Sequence, residues 1–312
     1  MKAIGVDIGG MSIKVGLVDE QGKILQENRE KTLSTPLECI DKLINQIREI
    51  LTQNNLTDKD IRGIGIGCPG AVSSETGVVE ILPNLGWQNV PLAKILSKHF
   101  NTKIKLSNDA NVAALGEAVY GCAKNYDTVV MFTLGTGVGG GIIIEKKLFE
   151  GGWSRGAELG HTTLKLNGRP CTCGRNGCVE TYVSATALIS DTKTAMQQNP
   201  QSKMWDYIGG DINKVDGKTA FDCANQGDKT AIAVVDDYVM YLSESIMNML
   251  NVFRPQAFVL GGGISGQGKV LTDKVKLYLE KFDYGYKTAP KTEILTASLG
   301  NGAGIVGAAA LV

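Results

Sequence analysis

The stretch HTTLKLNGRPCTCGRNGCVE, residues 161–180, sets Cys171, Cys173 and Cys178 in a C-x-C-x4-C run beginning ten residues after His161. Any disulfide among three cysteines leaves a thiol over, whereas Zn²⁺ takes four N or S ligands in a tetrahedral array. In a reducing compartment the run therefore reads as a metal site. His161 is the economical fourth ligand, and Gly174 and Gly177 relieve the tight turns such a knuckle needs. The other histidine, His99 in SKHFN, stands at the end of an expected surface helix and is assigned no ligand role. A closed Cys3His site is structural, because catalytic zinc keeps a position open for water. It would brace a segment flanked by two carboxylates, Glu158 and Glu180. Cys39, Cys68, Cys122 and Cys223 fall singly in apolar or helical stretches and read as small buried hydrophobes.

Glycine supplies the second chemical signal: the 39 glycines are clustered in loops. GTGVGG at 135–140 and GGGISG at 261–266 both match G-x-G-x-x-G. A dinucleotide fingerprint needs a strand before the glycines and a helix directly after them. The first match runs into GIIIEKKLF, which is β-rich, and the second is not the opening βαβ unit of the chain. Neither carries the Lys-Ser/Thr of a Walker A loop, so neither a nicotinamide-dependent dehydrogenase nor a P-loop enzyme is expected. Glycine hairpins whose backbone N–H groups are unobstructed can still cradle phosphate, and three of them point to a nucleotide.

These residues need a scaffold, and 312 residues suit two domains of about 150 residues each. AIGVDIGGMSIKVGLVDEQGKIL reads as strand, glycine turn, strand and the start of a third strand; TVVMFTLGTGVGGGIIIEKKLFEGG at 128–152 repeats the plan. Helices are expected at about 37–52, 184–197 and 228–251, with a strand in IRGIGIGCPGAV and strand-into-helix units in TKIKLSNDANVAALGEA and TEILTASLGNGAGIVGAAALV. Alternating strands and helices in duplicated order indicate parallel α/β sheets in two similar lobes facing a cleft. A helix is the expected link, since no linker-like composition separates them. The 32 basic residues balance 32 acidic ones, which removes any long-range pull toward nucleic acid or an anionic membrane. No apolar run approaches the ~20 residues of a membrane span, and a cytoplasmic protein with a small-molecule partner is expected.

DIGG at 7–10, CPGAV, LPNLGW, SNDANVAALGEA, TLGTGVGGG, AELGH, CTCGRNGC and LGGGIS together resemble the ROK sugar kinases of the actin-like ATPase fold, over essentially the whole chain. The resemblance implies an α/β, duplicated actin-like (ribonuclease H-like) fold with two lobes around a central cleft and a zinc knuckle in the larger lobe. Residues 1–117 plus 301–312 would form the small lobe, and 118–300, with the zinc-binding loop 158–180, the large one. It implies ATP, Mg²⁺ and structural Zn²⁺ as cofactors, a hexose substrate, commonly a homodimer, and neither nucleic-acid nor membrane partners. Asp109 matches the general base, while Asn84, Asn108, Glu158, His161 and Glu180 match groups that bind sugar hydroxyls. As an expected N-cap at a strand-to-helix turn, Asp109 would stay ionised and fixed in direction. Asp7 matches the residue that orients Mg²⁺; Gly9, Gly10, Ser12 and Lys14 belong to the same nucleotide-binding hairpin. Gly135, Thr136 and Gly137 would line the phosphates, and Gly262 and Gly263 the nucleoside. The chain departs from the pattern at Met11, where the family usually has Thr, and activity is expected to survive.

Glucose is the first substrate expected, with N-acetylmannosamine, N-acetylglucosamine, fructose, allose or a β-glucoside as alternatives. A repressor of the same superfamily carries a DNA-binding segment ahead of the first phosphate motif, for which Asp7 leaves no room. A sugar-binding protein without catalysis is the remaining alternative.

Overall fold

The computed structural model describes residues 1–33, 35–82, 85–285 and 290–312. Glycine turns and alternating apolar residues at the start of the chain produce β1 (Ala3–Ile8), β2 (Ser12–Val18) and β3 (Ile24–Lys31), paired antiparallel in sequence. TPLE then starts α1 (Pro36–Gln53): the Thr35 hydroxyl accepts the Glu38 N–H and donates to the Glu38 carboxylate, with proline at the first helical position. Its buried face, Ile40, Leu43, Ile44, Ile47 and Leu51, recurs at helical spacing and covers the sheet.

IRGIGIGCPGAV does not stay one strand. Pro69-Gly70 breaks it into β4 (Ile64–Cys68), parallel to β1, and β5 (Ala71–Ser73), which joins β6 (Val78–Leu82) and β7 (Trp87–Val90) in a small antiparallel sheet. After α2 (Leu92–Leu96), β8 (Ile104–Asn108) pairs parallel with β4 and feeds α3 (Asp109–Val119). The first five-stranded sheet has the order β3-β2-β1-β4-β8.

The plan recurs with β9 (Val129–Leu134), β10 (Val138–Ile144) and β11 (Lys147–Phe149). Five helices follow: α4 (Glu180–Val183), α5 (Ala185–Gln198), α6 (Met204–Tyr207), α7 (Thr219–Asn225) and α8 (Lys229–Phe253). Then come β12 (Ala257–Gly261), α9 (Lys269–Phe282), β13 (Glu293–Thr296) and α10 (Ala303–Ala310). The second sheet, β11-β10-β9-β12-β13, has the same order of hairpin and parallel strands as the first, so the duplication read from the sequence is a duplication of topology.

Contacts divide the chain into unit 1 (1–129, 141–157 and 298–312) and unit 2 (130–140 and 158–297). The sequence reading assigns 118–129, 141–157 and 298–300 to the other part. The chain passes between units within β9, within β10 and in two loops, so the link expected as a helix is not one. Unit 1 is closed by α10, which lies on β1 and β4 so tightly that a Cβ on Gly65 would stand 1.7 Å from the Ala308 carbonyl oxygen. Within unit 2, Phe132 of β9 meets Phe258 of β12 edge to face with centroids 4.9 Å apart. Among the described residues no helix is long and apolar enough to cross a membrane.

Candidate active site and metal centre

In unit 1 the ladder of β1 and β2 sets Asp7 opposite Lys14, and the ammonium lies 3.0 Å from the carboxylate. Gly9 and Gly10 turn the chain, with the Gly9 N–H donating to the Ser12 carbonyl at 2.9 Å. The Ser12 hydroxyl accepts from Arg29 Nε at 3.2 Å. Met11 tops this turn with its side chain 83% exposed, while its carbonyl accepts the Thr32 N–H at 3.1 Å. The first turn of α10 comes against Asp7 at Gly304, where a Cβ would lie 2.7 Å from Asp7 Cγ.

At the junction of β8 and α3 the capping role falls one residue earlier than expected. Asn108 is the N-cap: its Oδ1 accepts the N–H of Ala110 at 2.9 Å and of Asn111 at 3.4 Å, while its amide donates to the Gly70 carbonyl at 3.2 Å. Asp109 is the first helical residue, exposed, with Oδ1 accepting the Ala110 N–H at 2.9 Å. A carboxylate there stands at the N-terminal, positive end of the α3 dipole, in the first turn rather than at the cap itself. Asn84 lies outside the described residues.

A residue the sequence reading passed over locks α3 in place. Glu117 is fully buried and accepts four hydrogen bonds, from the N–H groups of Ser298, Leu299 and Cys122 and the Ser298 hydroxyl, at 2.8–3.0 Å. Its signal, a Glu in an otherwise small and apolar helix, is faint, and its partners Ser298 and Leu299 lie about 180 positions away.

In unit 2 the glycine turn between β9 and β10 is held from three directions. The Gly135 carbonyl accepts the Ala185 N–H at 2.8 Å, the Thr136 carbonyl accepts the Thr186 hydroxyl at 2.8 Å, and the Val138 N–H donates to Glu180 Oε2 at 3.0 Å. A Cβ on Gly137 would stand 2.3 Å from that same carboxylate oxygen, so any side chain there would displace Glu180 from the loop. Gly262, at φ +81°, packs against Leu134 beside Gly135, and Gly263 opens the short turn that follows β12. The candidate nucleotide residues of this unit thus gather where the inner strands β9 and β12 end.

The segment after Glu158 folds against the same glycine turn, at the start of β10: a Cβ on Gly160 would lie 1.9 Å from the Val138 carbonyl oxygen. His161 follows in a short turn whose N–H returns to the Glu158 carbonyl at 3.0 Å. The cysteine run then makes two small turns, with bridges Thr163–Cys178 and Pro170–Asn176. His161, Cys171, Cys173 and Cys178 converge so that their ligand atoms all lie within 4.8 Å of one another. Cys173 Sγ is 3.7 Å from Cys178 Sγ, and Cys171 Sγ is 3.6 Å from His161 Nδ1. A tetrahedral zinc with ordinary bond lengths sets S···S edges of about 3.8 Å and S···N edges of about 3.6 Å, so the four groups fit a structural Zn²⁺.

Without a cation the thiols are unequal. Burial pushes Cys178 up to about 12, whereas exposed Cys173 is lowered, chiefly by the backbone N–H of Arg175. A metal would hold all three as thiolates. Arg175 also donates to the His161 carbonyl at 3.1 Å and the Thr163 hydroxyl at 2.7 Å, and Arg169 forms a two-point ion pair with Asp191 of α5. The sequence reading assigned neither arginine a role. Cys171 Sγ lies 3.7 Å from Glu180 Oε1, so one carboxylate touches both the metal cluster and the glycine loop.

The ROK family profile matches residues 3–312. A glucokinase of Thermotoga maritima is 36% identical over 315 residues, covering 100% of this chain and 97% of that protein. A xylose repressor of Caldicellulosiruptor bescii is 30% identical, covering 88% of this chain and 68% of its own. Among solved structures, a ROK glucokinase from Streptomyces griseus in complex with glucose and AMPPNP superposes with a TM-score of 0.82 at 33% identity, covering 100% of this chain and 99% of that one. Matched from end to end, and with the Cys3His cluster and glycine loops in place, this chain belongs to the ROK family.

Proposed function

We propose that this protein transfers the γ-phosphoryl group of ATP to glucose, giving glucose 6-phosphate, with Asp109 as the general base. The observation that carries this is the double engagement of Glu180, which sets a sugar-binding carboxylate between the zinc-type cluster and a phosphate-type glycine loop. The whole-length similarity to glucokinases, one of them holding glucose and an ATP analogue, supports the same reading.

Asp109 accepts the proton of the attacking sugar hydroxyl as the new P–O bond forms and the bond to ADP breaks. Asn108, Glu158, His161 and Glu180, with Asn84, hydrogen-bond the hydroxyls; carboxylates accept and amides do both, which suits a polyol. With Nδ1 beside Cys171, His161 keeps Nε2 for the sugar. The N–H groups around Gly9, Gly10, Gly135, Thr136 and Gly137 receive phosphate oxygens, with Ser12 and Lys14 adding a hydroxyl and a point charge. Gly262 and Gly263 border the nucleoside. Mg²⁺, when bound with the nucleotide, neutralises phosphate charge, and Asp7 would hold it through water. Zn²⁺ braces the segment carrying Glu158 and Glu180. We further propose a homodimer working in the cytoplasm, where ATP is made and thiols stay reduced, with neither nucleic acid nor membrane as partner.

Asp109→Asn keeps size and shape but removes the base. The expected outcome in a coupled ADP-release assay is a fall in kcat of about 10²–10⁴-fold with the sugar KM little changed. Undiminished turnover would remove Asp109 from its role. A panel of hexoses assayed with the unaltered protein should give glucose the highest kcat/KM.

A further inference from the structure

Unit 1 presents an indole to solvent at a place no step of the phosphoryl transfer uses. Trp153 is 82% exposed and, with Ser154, sits in the left-handed region at φ +56° and +58°. A bulky side chain rarely occupies that region, so the surrounding structure must impose it. The surroundings are identifiable. The Ser154 hydroxyl lies 2.7 Å from the Ser74 hydroxyl, which donates to Glu150 Oε2 at 2.6 Å. The other Glu150 oxygen accepts the Ser107 hydroxyl at 2.5 Å, and Ser107 directly precedes Asn108 and Asp109. A short chain of hydrogen bonds therefore connects the pose of Trp153 to the strand end that carries the base.

Beside the indole is a cavity of about 380 Å³, bordered by Trp153, Ser73, Glu75, Thr76, Glu80 and Arg155. A second cavity, of about 320 Å³, adjoins it across the Glu80–Arg155 pair and reaches Gln88 and Asn89. Arg155 Nη2 lies 3.0 Å and 2.9 Å from the two oxygens of Glu80, so the dividing pair carries no net charge. An aromatic face, a neutralised carboxylate–guanidinium pair, the Glu75 carboxylate, hydroxyls and amides make a surface that stacks against a ring of C–H groups and exchanges hydrogen bonds with alcohols. An anionic ligand would meet the Glu75 carboxylate and no uncompensated cation on that pair, and a purely apolar one would strip water from these groups without return.

We propose that Trp153 and the Glu80–Arg155 pair form a subsite for a second, neutral pyranose ring, so that this protein binds saccharides longer than the hexose it phosphorylates. The proposal rests on the sugar-kinase reading for its ligand class.

The test is calorimetric titration of full-length, zinc-loaded protein with maltose, with cellobiose and with glucose, alongside the glucose phosphorylation assay. The expected result is saturable binding of at least one disaccharide. Trp153→Ala and Glu80→Gln should each weaken it by about tenfold, and Trp153→Phe, which keeps an aromatic face, by less than about threefold. Glucose turnover by Trp153→Ala should stay within about twofold of the unaltered protein. Failure of the parent protein to bind either disaccharide, or equal binding by Trp153→Ala and the parent, would overturn the subsite. Loss of disaccharide affinity in both the indole and Glu80 variants, in a protein that phosphorylates no hexose, would instead retain the subsite and sink the kinase reading.

Discussion

Ala157 directly precedes Glu158 and holds φ at +62°, a conformation in which the alanine Cβ crowds the neighbouring carbonyl. Glycine meets no such conflict, so Ala157→Gly is expected to raise the unfolding free energy by about 1 kcal/mol in a urea titration. A neutral or destabilising result would show that the loop already relaxes around alanine. At this scale legibility depended on how local the chemistry is. The Cys3His set was readable because its ligands are of a diagnostic type at close spacing, and the four groups do converge. The cap of α3 was misassigned by one position because Asn108 and Asp109 are equally good N-caps and adjacent. Glu117 was not readable as a latch because nothing near it in sequence announces Ser298. Met11 could be seen to depart from the pattern, but only the structure shows its side chain facing water, with the backbone carrying the turn's hydrogen bonds.

Among the elements, α8 is the one whose start is most tightly specified. Asp228 caps it, accepting the Ala231 N–H at 2.7 Å, while its other oxygen accepts the Lys203 N–H at 2.8 Å and the Ser202 hydroxyl adds a bond at 3.1 Å. Burial opposes the charge, but these donors outweigh it and hold the carboxyl below the ordinary Asp value. A group with a depressed folded-state value stabilises above the unfolded pKa, and that contribution is lost as pH falls through the folded one. Asp228→Asn should therefore cost about 1 kcal/mol at neutral pH and progressively less below about pH 4, read as converging urea midpoints of the two proteins. A pH-independent difference would mean that shape, not charge, is what the cap supplies. Helices with strong caps and long apolar stripes, α1 and α8 among them, were legible to within a residue or two. The sheet of β5, β6 and β7 was not: its strands have three, five and four residues, too short for a period to emerge from the sequence.

On the scale of the whole molecule, the metal cluster is the feature most open to a single decisive manipulation. The purified protein should carry about one zinc per chain, and a chelator should lower the melting temperature and raise the glucose KM more than the ATP KM. Equal sugar affinity with and without metal would mean that the knuckle braces something other than the Glu158 and Glu180 segment. The duplicated α/β plan was legible because both halves carry the same hairpin-and-glycine pattern, and the matching strand orders bear it out. The discontinuity of unit 1 is a matter of tertiary contact: residues 298–312 return to strands formed by the opening residues of the chain. In chain order α10 follows every strand that it covers, and all of unit 2. Until it docks, the face of β1 and β4 that α10 covers lacks its partner, while residues 158–297 of unit 2 have already been made. Maturation should thus run against the order of the message, with the amino-terminal sheet waiting for a helix encoded after the whole of unit 2.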